Sequence, residues 1–161
     1  MQVREKLVNQ FPEVSVQYDP MMPVKFGGLY ERNHLHPNGL ILLTDKLNYY
    51  LENGILGEEF GHHVTTTTDI TGYYRKPYNV NAARQELRAR RFGHKLLIPL
   101  EQLIDCYENG CWGDIYAMCL HLEIDRSYFS IVIEDYKSKF GLWIEYEGYL
   151  IGFEPLDIKK L

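Results

Sequence analysis

The sequence predicts one α+β domain with a small β-sheet, two long central helices and a mostly helical C-terminal half. A length of 161 residues suits a single domain with its own core. Short apolar segments near the N-terminus and the C-terminus have the composition of strands. Two long segments, about 45–64 and 79–97, have the end signals of helices. Strands at both ends of the chain with helices between them favour α+β over an all-helical fold.

The N-terminal part is predicted to form the sheet. Residues 1–10 favour a short helix that ends near Pro12. The alternation of apolar and polar residues over 14–18 predicts a strand. Two apolar segments, 27–30 and 39–43, flank a polar segment and therefore predict a hairpin.

Two long helices and the loop between them form the centre of the chain. Thr44 or Asp45 is expected to cap the first helix, over about 45–64. The second helix, over about 79–97, stops before a proline, because the residue preceding proline avoids the helical region. The loop over 65–78 is rich in threonine, glycine and aromatic residues, and loops of more than about ten residues often border functional sites.

Three shorter helices and a hairpin are predicted for the remainder. Pro99 suits the first turn of a helix that runs to about residue 108, and helices over about 112–121 and 125–139 follow. Strong strand formers on both sides of Glu147 and Gly148 predict a β-hairpin. Within one domain this divides the chain into a core, a helical subregion and a C-terminal hairpin: 1–98, 99–141 and 142–161.

Composition and charge narrow the class of protein. The net charge of −5 gives no bulk attraction to nucleic acid, and 14% aromatic residues argue against disorder. The three cysteines, Cys106, Cys111 and Cys119, are an odd number without a secretory leader, which indicates reduced, buried thiols. No apolar run has membrane length. We therefore expect a cytoplasmic protein.

The segment 57–63 carries the main functional signal. It looks like the H-E-x-x-H helix of zinc peptidases with Glu58 in the place of the first histidine, while Glu59 and His62 match the motif. Residues four apart put two ligands one turn apart on a helix. On a helical wheel Glu58 and His62 share the apolar side that carries Leu51. Glu59 lies at the edge of that side, where a general base would sit.

The second long helix offers a further acid. Glu86 points away from a basic stripe and shares its side of the helix with small apolar residues. Glu58, His62 and Glu86 would make three metal ligands with an open position for water. The basic stripe consists of Arg84, Arg88, Arg91 and Lys95, and a solvated helix face is its default interpretation.

Two alternative pairings stay open at this point. Glu58 and Glu86 could form a buried ion network with Arg90 or the motif histidine instead of binding a metal. A competing register pairs Glu59 with His63, but His63 points away from the apolar side of the helix and this pair ranks lower.

Several neighbouring residues are candidates for contacts to a substrate or transition state. His63 could be such a contact, although an exposed or loop-contacting histidine is the simpler interpretation. Tyr73 and Tyr74 lie in the loop between the two helices, and one of them could stabilise a tetrahedral intermediate. His94 is expected to be exposed beside the basic stripe.

Beyond the motif, the chain resembles the ImmA/IrrE family of metallo-endopeptidases, which is common in phages and mobile elements. The likeness covers most of residues 1–141 and does not include the final hairpin. The segments that follow the family's order are 28–30, 41–43, 55–63, 85–92, 96–99 and 128–141.

The resemblance implies a zincin-like fold in which His62 and Glu86 bind one divalent metal and Glu59 is the general base. Glu58 would take the position of the first histidine ligand. Zinc is the first expectation, and manganese or iron are alternatives because a carboxylate in place of imidazole makes the site harder. The resemblance also implies a protein substrate, a helix-turn-helix repressor of a phage or mobile element. From composition and charge we expect no membrane partner, and nucleic acid is a disfavoured partner.

Three functions are consistent with the sequence. The first is a metal-dependent endopeptidase that cleaves such a repressor. The second is a catalytically inactive protein of the same fold that binds a regulatory partner. The third is a toxin–antitoxin or DNA-associated module that uses the stripe from Arg84 to Lys95.

Overall fold

The computed structural model describes residues 1–66 and 80–161, with the backbone alone at Val80. These residues form a mixed α+β structure, as predicted, and divide into two compact units, 1–97 and 98–161. The first unit contains α1 (Val3–Gln10), β1 (Ser15–Asp19), a 3-10 helix (Val24–Phe26), β2 (Gly28–Glu31), β3 (Leu40–Thr44), α2 (Tyr49–Thr65) and α3 (Val80–Leu97). The second contains α4 (Leu100–Glu108), α5 (Ile115–Leu122), α6 (Arg126–Phe140), β4 (Trp143–Tyr146), β5 (Tyr149–Phe153) and β6 (Leu156–Lys160).

The sheet of the first unit has β3 at its centre. β2 pairs antiparallel with β3, with Tyr30 opposite Ile41, which confirms the predicted hairpin. β1 pairs with the other side of β3 in parallel, so the strand order is β1-β3-β2. Ile41 and Leu43 are fully buried, because a central strand covered on both faces favours a continuous apolar run.

Helix α2 begins later than the sequence indicated. The prediction of Thr44 or Asp45 as its N-cap is wrong: Thr44 ends β3, and Asn48 caps the helix by accepting a hydrogen bond from the Leu51 amide at 3.0 Å. Asparagine caps as well as aspartate, and the strand needs Thr44 for its last pairing, with Asp19 of β1.

The most buried side of α2 is not the side that carries Leu51. Leu51 and Ile55 are half-buried, whereas Leu56 and Phe60 are completely buried. Phe60 stacks on Phe11 with ring centroids 4.7 Å apart. The helix is therefore covered on both sides, as its apolar residues suggested, but its deepest contacts lie opposite the ligand side.

A buried carboxylate ties the first turn of α2 to the N-terminal elements. Glu52 forms an ion pair with Arg4 of α1 and accepts a hydrogen bond of 2.5 Å from the Tyr18 hydroxyl of β1. A buried carboxylate needs such partners, because it loses its hydration on folding.

In the second unit, three helices pack with an antiparallel sheet. Tyr136 of α6 donates a buried hydrogen bond of 2.6 Å to the Ile98 carbonyl before α4. Tyr146 and Tyr149 of the sheet donate to Glu101 and Glu108 of α4. These bonds join α4 to both neighbours within the unit.

The C-terminal segment is larger than the hairpin that was predicted. β4 and β5 form that hairpin, and β6 adds a third strand on the other side of β5. Its alternation around buried Ile158 was a strand signal too short to stand out in the sequence.

Two further expectations can be compared with the structure. The three cysteines are free thiols, with Cys106 and Cys119 buried. The expected exposure of His94 is wrong, because His94 is only 4% exposed and follows Gly93, which lies at the contact with α2. Over the described ranges, each helix is too short or too polar to cross a lipid bilayer.

Candidate metal centre

Glu58, His62 and Glu86 come together between α2 and α3. Each offers one ligand atom, and the three atoms lie within 4.8 Å of one another. Glu58 and His62 are four residues apart on α2, so they project from the same side of that helix. All three side chains are half-buried, which leaves the cluster accessible from solvent.

Small residues bring the two helices into backbone contact beside the cluster. A Cβ placed on Gly61 would lie 2.0 Å from the carbonyl oxygen of Ala89, and one on Gly93 would lie 2.9 Å from the carbonyl carbon of Gly57. Higher numbers on α2 meet lower numbers on α3, so the helices are antiparallel. This register places His62 opposite Glu86.

His62 and Glu86 interact directly in this arrangement. The distance between His62 Nε2 and Glu86 Oε2 is 3.3 Å. That interaction lowers the pKa of Glu86 to about 2. Burial opposes the charged form of His62, but Glu86 and the carboxylates of Glu59 and Glu58 outweigh it and raise the pKa of His62.

Glu58 has a different environment. Burial raises its pKa, Arg90 opposes that rise, and the neighbouring carboxylate of Glu86 adds to it. The Nε atom of Arg90 lies 3.4 Å from Glu58 Oε1. The ion network that the sequence left open is therefore present, with His62 on Glu86 and Arg90 on Glu58.

Glu59 lies on the buried side of the cluster. It is 9% exposed, and its charge is close enough to raise the pKa of His62. A Cβ on Gly28 would lie 3.3 Å from Glu59 Cγ and 2.7 Å from Ile55 Cγ2. The absence of a side chain at Gly28 therefore lets β2 pass directly beside Glu59, a role that the sequence did not reveal.

His63 belongs to a separate hydrogen-bonded chain. Its Nδ1 lies 2.7 Å from the Tyr30 hydroxyl and its Nε2 lies 2.8 Å from Glu13 Oε1. His63 is half-buried, so it is not exposed, but Glu13 lies in the turn between α1 and β1, and the alternative of a loop-contacting histidine is therefore confirmed. The physical reason for the burial is that the hairpin covers this side of α2, which the sequence of the helix alone does not show.

The donor set of the cluster fits a divalent metal. Bonds of about 2.0–2.2 Å to nitrogen and oxygen in a tetrahedral shell place ligand atoms roughly 3.3–3.5 Å apart. The 3.3 Å between His62 and Glu86 matches that separation. One imidazole and two carboxylates form a chemically reasonable set for zinc, manganese or iron. The cluster could therefore hold a metal ion with little movement of these two side chains.

Two further groups of candidates came from the sequence, the loop tyrosines and the basic stripe. Tyr73 and Tyr74 lie outside the described residues. Arg84, Arg88 and Lys95 are exposed on α3, whereas Arg91 is half-buried.

Comparisons with known proteins add no identification, since no family model, curated protein or solved structure matches this chain. The functional argument therefore depends on the geometry of the cluster and on the residues that form it.

Proposed function

We propose that this protein is a metal-dependent endopeptidase of zincin-like fold whose metal ligands are Glu58, His62 and Glu86. The observation that carries the proposal is the convergence of these three ligand atoms within 4.8 Å. By the resemblance, their positions correspond to the ligand positions of the ImmA/IrrE family, with Glu58 in place of a histidine. Zinc is the first choice, with manganese or iron as alternatives.

The chemistry follows from the positions of the side chains. When bound, a divalent metal polarises a peptide carbonyl and makes water a better nucleophile at neutral pH. Glu59, one residue after Glu58 and close enough to His62 to shift its pKa, is the base. It accepts a proton from the attacking water and returns it to the leaving amine.

The strand β2 passes directly beside the proposed base, Glu59, at Gly28. By the family resemblance the substrate is a helix-turn-helix repressor of a phage or mobile element.

A nucleic-acid substrate or partner is not part of this proposal. Residues 98–161 contain twelve acidic and five basic residues, a net charge of −7. Since phosphate contacts supply most of the affinity for nucleic acid, the acidic second unit opposes binding.

The alternative is a catalytically inactive protein that binds a regulatory partner. The pairs His62–Glu86 and Glu58–Arg90 favour it, because they satisfy the cluster's charges without a metal. Partly exposed ion pairs of this kind also occur for structural reasons alone.

Metal content separates the two functions. We expect protein purified without chelators to carry about one divalent metal per chain by elemental analysis, and His62→Ala/Glu86→Ala to carry none. If wild type and the double variant contain equally little metal while both remain folded, the binding function is correct. With metal present, Glu59→Gln should retain it and abolish cleavage of the candidate repressor, since the amide cannot accept the proton.

A further inference from the structure

Arg90 forms an ion pair with Glu58, the proposed ligand that stands where the peptidase motif has a histidine. Glu86 and Arg90 are four residues apart on α3, and Glu58 and His62 are four apart on α2. The antiparallel contact of the helices therefore sets Arg90 opposite Glu58 when it sets Glu86 opposite His62. The 3.4 Å between Arg90 Nε and Glu58 Oε1 shows the result.

The pair has a specific chemical consequence for a metal site. A glutamate in place of a neutral histidine adds one negative charge, so two carboxylates would offset the whole charge of a divalent ion. The guanidinium of Arg90, beside one oxygen of Glu58, compensates for part of that added negative charge. It also occupies Oε1, which leaves the second oxygen of the carboxylate for the metal.

We propose that Arg90 is a positioning residue that holds Glu58 in single-oxygen coordination and compensates for the charge added at position 58. The inference rests on the metal site proposed above and deepens it. Groups that hydrogen-bond to metal ligands orient them, and their loss typically weakens metal binding about 10–100-fold.

A purely structural role is the main alternative. The side chain of Arg90 is 56% exposed, and exposed ion pairs contribute little to folding. Removing the guanidinium should therefore leave the stability of the metal-free protein unchanged, while it weakens metal binding. A structural ion pair would not show this separation, because its loss would lower the stability of the metal-free protein.

The experiment measures zinc affinity of the full chain by competition with a chromophoric chelator. Arg90→Met removes the charge and the donors but keeps an apolar stem, and we expect its zinc dissociation constant to rise about 10–100-fold. Arg90→Lys retains a cationic donor and should recover most of the affinity. Arg88→Met removes the same charge from an exposed position on α3 and is the matched control. It should bind zinc like wild type.

A second background tests the link to Glu58. In Glu58→His the site has a neutral ligand with no oxygen for Arg90. Adding Arg90→Met to this variant should change the dissociation constant by no more than about twofold, the scatter of independent sites. An equal loss in both backgrounds, a loss with Arg88→Met, or unchanged affinity of Arg90→Met would overturn the inference.

These outcomes differ from a failure of the proposed function. If wild type binds no zinc, manganese or iron, the metal site itself is wrong and Arg90 has no ligand to position. If wild type binds metal and His62→Ala abolishes binding, the site is correct and the Arg90 variants test the inference alone.

Discussion

Replacement of Gly61 by alanine tests whether backbone contact between α2 and α3 determines the site. The added Cβ would lie 2.0 Å from the Ala89 carbonyl oxygen and 2.8 Å from its carbonyl carbon. Real Cβ contacts are essentially never shorter than 3.0 Å, so the two helices must separate locally by about 1 Å. A backbone carbonyl cannot rotate out of the way as a side chain can.

Two opposing effects determine how much Gly61→Ala changes the free energy of unfolding. Overpacking a close contact costs about 1–3 kcal/mol, and the rigid backbone places this case near the upper end. Alanine is the better helix former by about 1 kcal/mol. We therefore expect Gly61→Ala to lower the free energy of unfolding of the first unit by about 2 kcal/mol.

Gly57→Ala is the matched control. It lies one turn earlier on α2, and its Cβ would meet Leu97 Cδ1 at 2.6 Å, the mobile end of a side chain. The same gain in helix propensity applies to both variants. The difference between them therefore isolates the clash with the backbone, and Gly57→Ala should be close to neutral.

The assay must report on the first unit. Both tryptophans, Trp112 and Trp143, lie in residues 98–161, so their fluorescence follows the second unit. Hydrogen exchange of the α2 and α3 amides measures the opening free energy of the helix pair directly. Zinc affinity should fall as well in Gly61→Ala, because the 3.3 Å between His62 and Glu86 spans this interface. Equal protection of α2 in Gly61→Ala and Gly57→Ala would refute the reasoning.

Three further predictions concern charge, capping and a buried hydrogen bond. In metal-free protein, the pair of His62 and Glu86 contributes most to the free energy of unfolding between about pH 4.5 and 6.5. Its contribution disappears as pH falls through the lowered pKa of Glu86 towards about 2, and as pH rises through the raised pKa of His62. The free energy of unfolding, measured in urea across pH, should fall on both sides of this range. Glu86→Gln should make it less dependent on pH. Asp125→Ala removes the acceptor that caps the first turn of α6 and should cost about 1 kcal/mol, measured by tryptophan fluorescence, with Asp125→Asn as the control that keeps an acceptor. Tyr136→Phe leaves the buried Ile98 carbonyl without its 2.6 Å partner and should cost about 1–3 kcal/mol in the same assay, and an unchanged midpoint would contradict that assignment.

Local signals predicted the elements that define the fold. The hairpin of β2 and β3 and the two long helices follow from turn residues, helix ends and apolar patterning, all of which act within a few residues. The N-cap of α2 was placed too early because Thr44 is also a good cap. Only the pairing of β1 with β3 shows that Thr44 belongs to the strand.

The environment of individual side chains was harder to predict. The sequence left His63 open as exposed or loop-contacting, and the partners that decide between the two, Tyr30 and Glu13, lie 33 and 50 residues away. The burial of His94 depends in the same way on how α3 packs. A helical wheel gives the direction of a side chain but does not show what covers it.

The sequence by itself determined the α+β class, the helical positions of Glu58, His62 and Glu86, and the i, i+4 spacing that turns the first two to one side of α2. Those are properties of a single helix. The tertiary structure decided that Glu86 meets His62 and that Arg90 meets Glu58. That choice depends on the register of two antiparallel helices. The contact of Gly61 with Ala89 sets the register, because no larger residue fits at that contact.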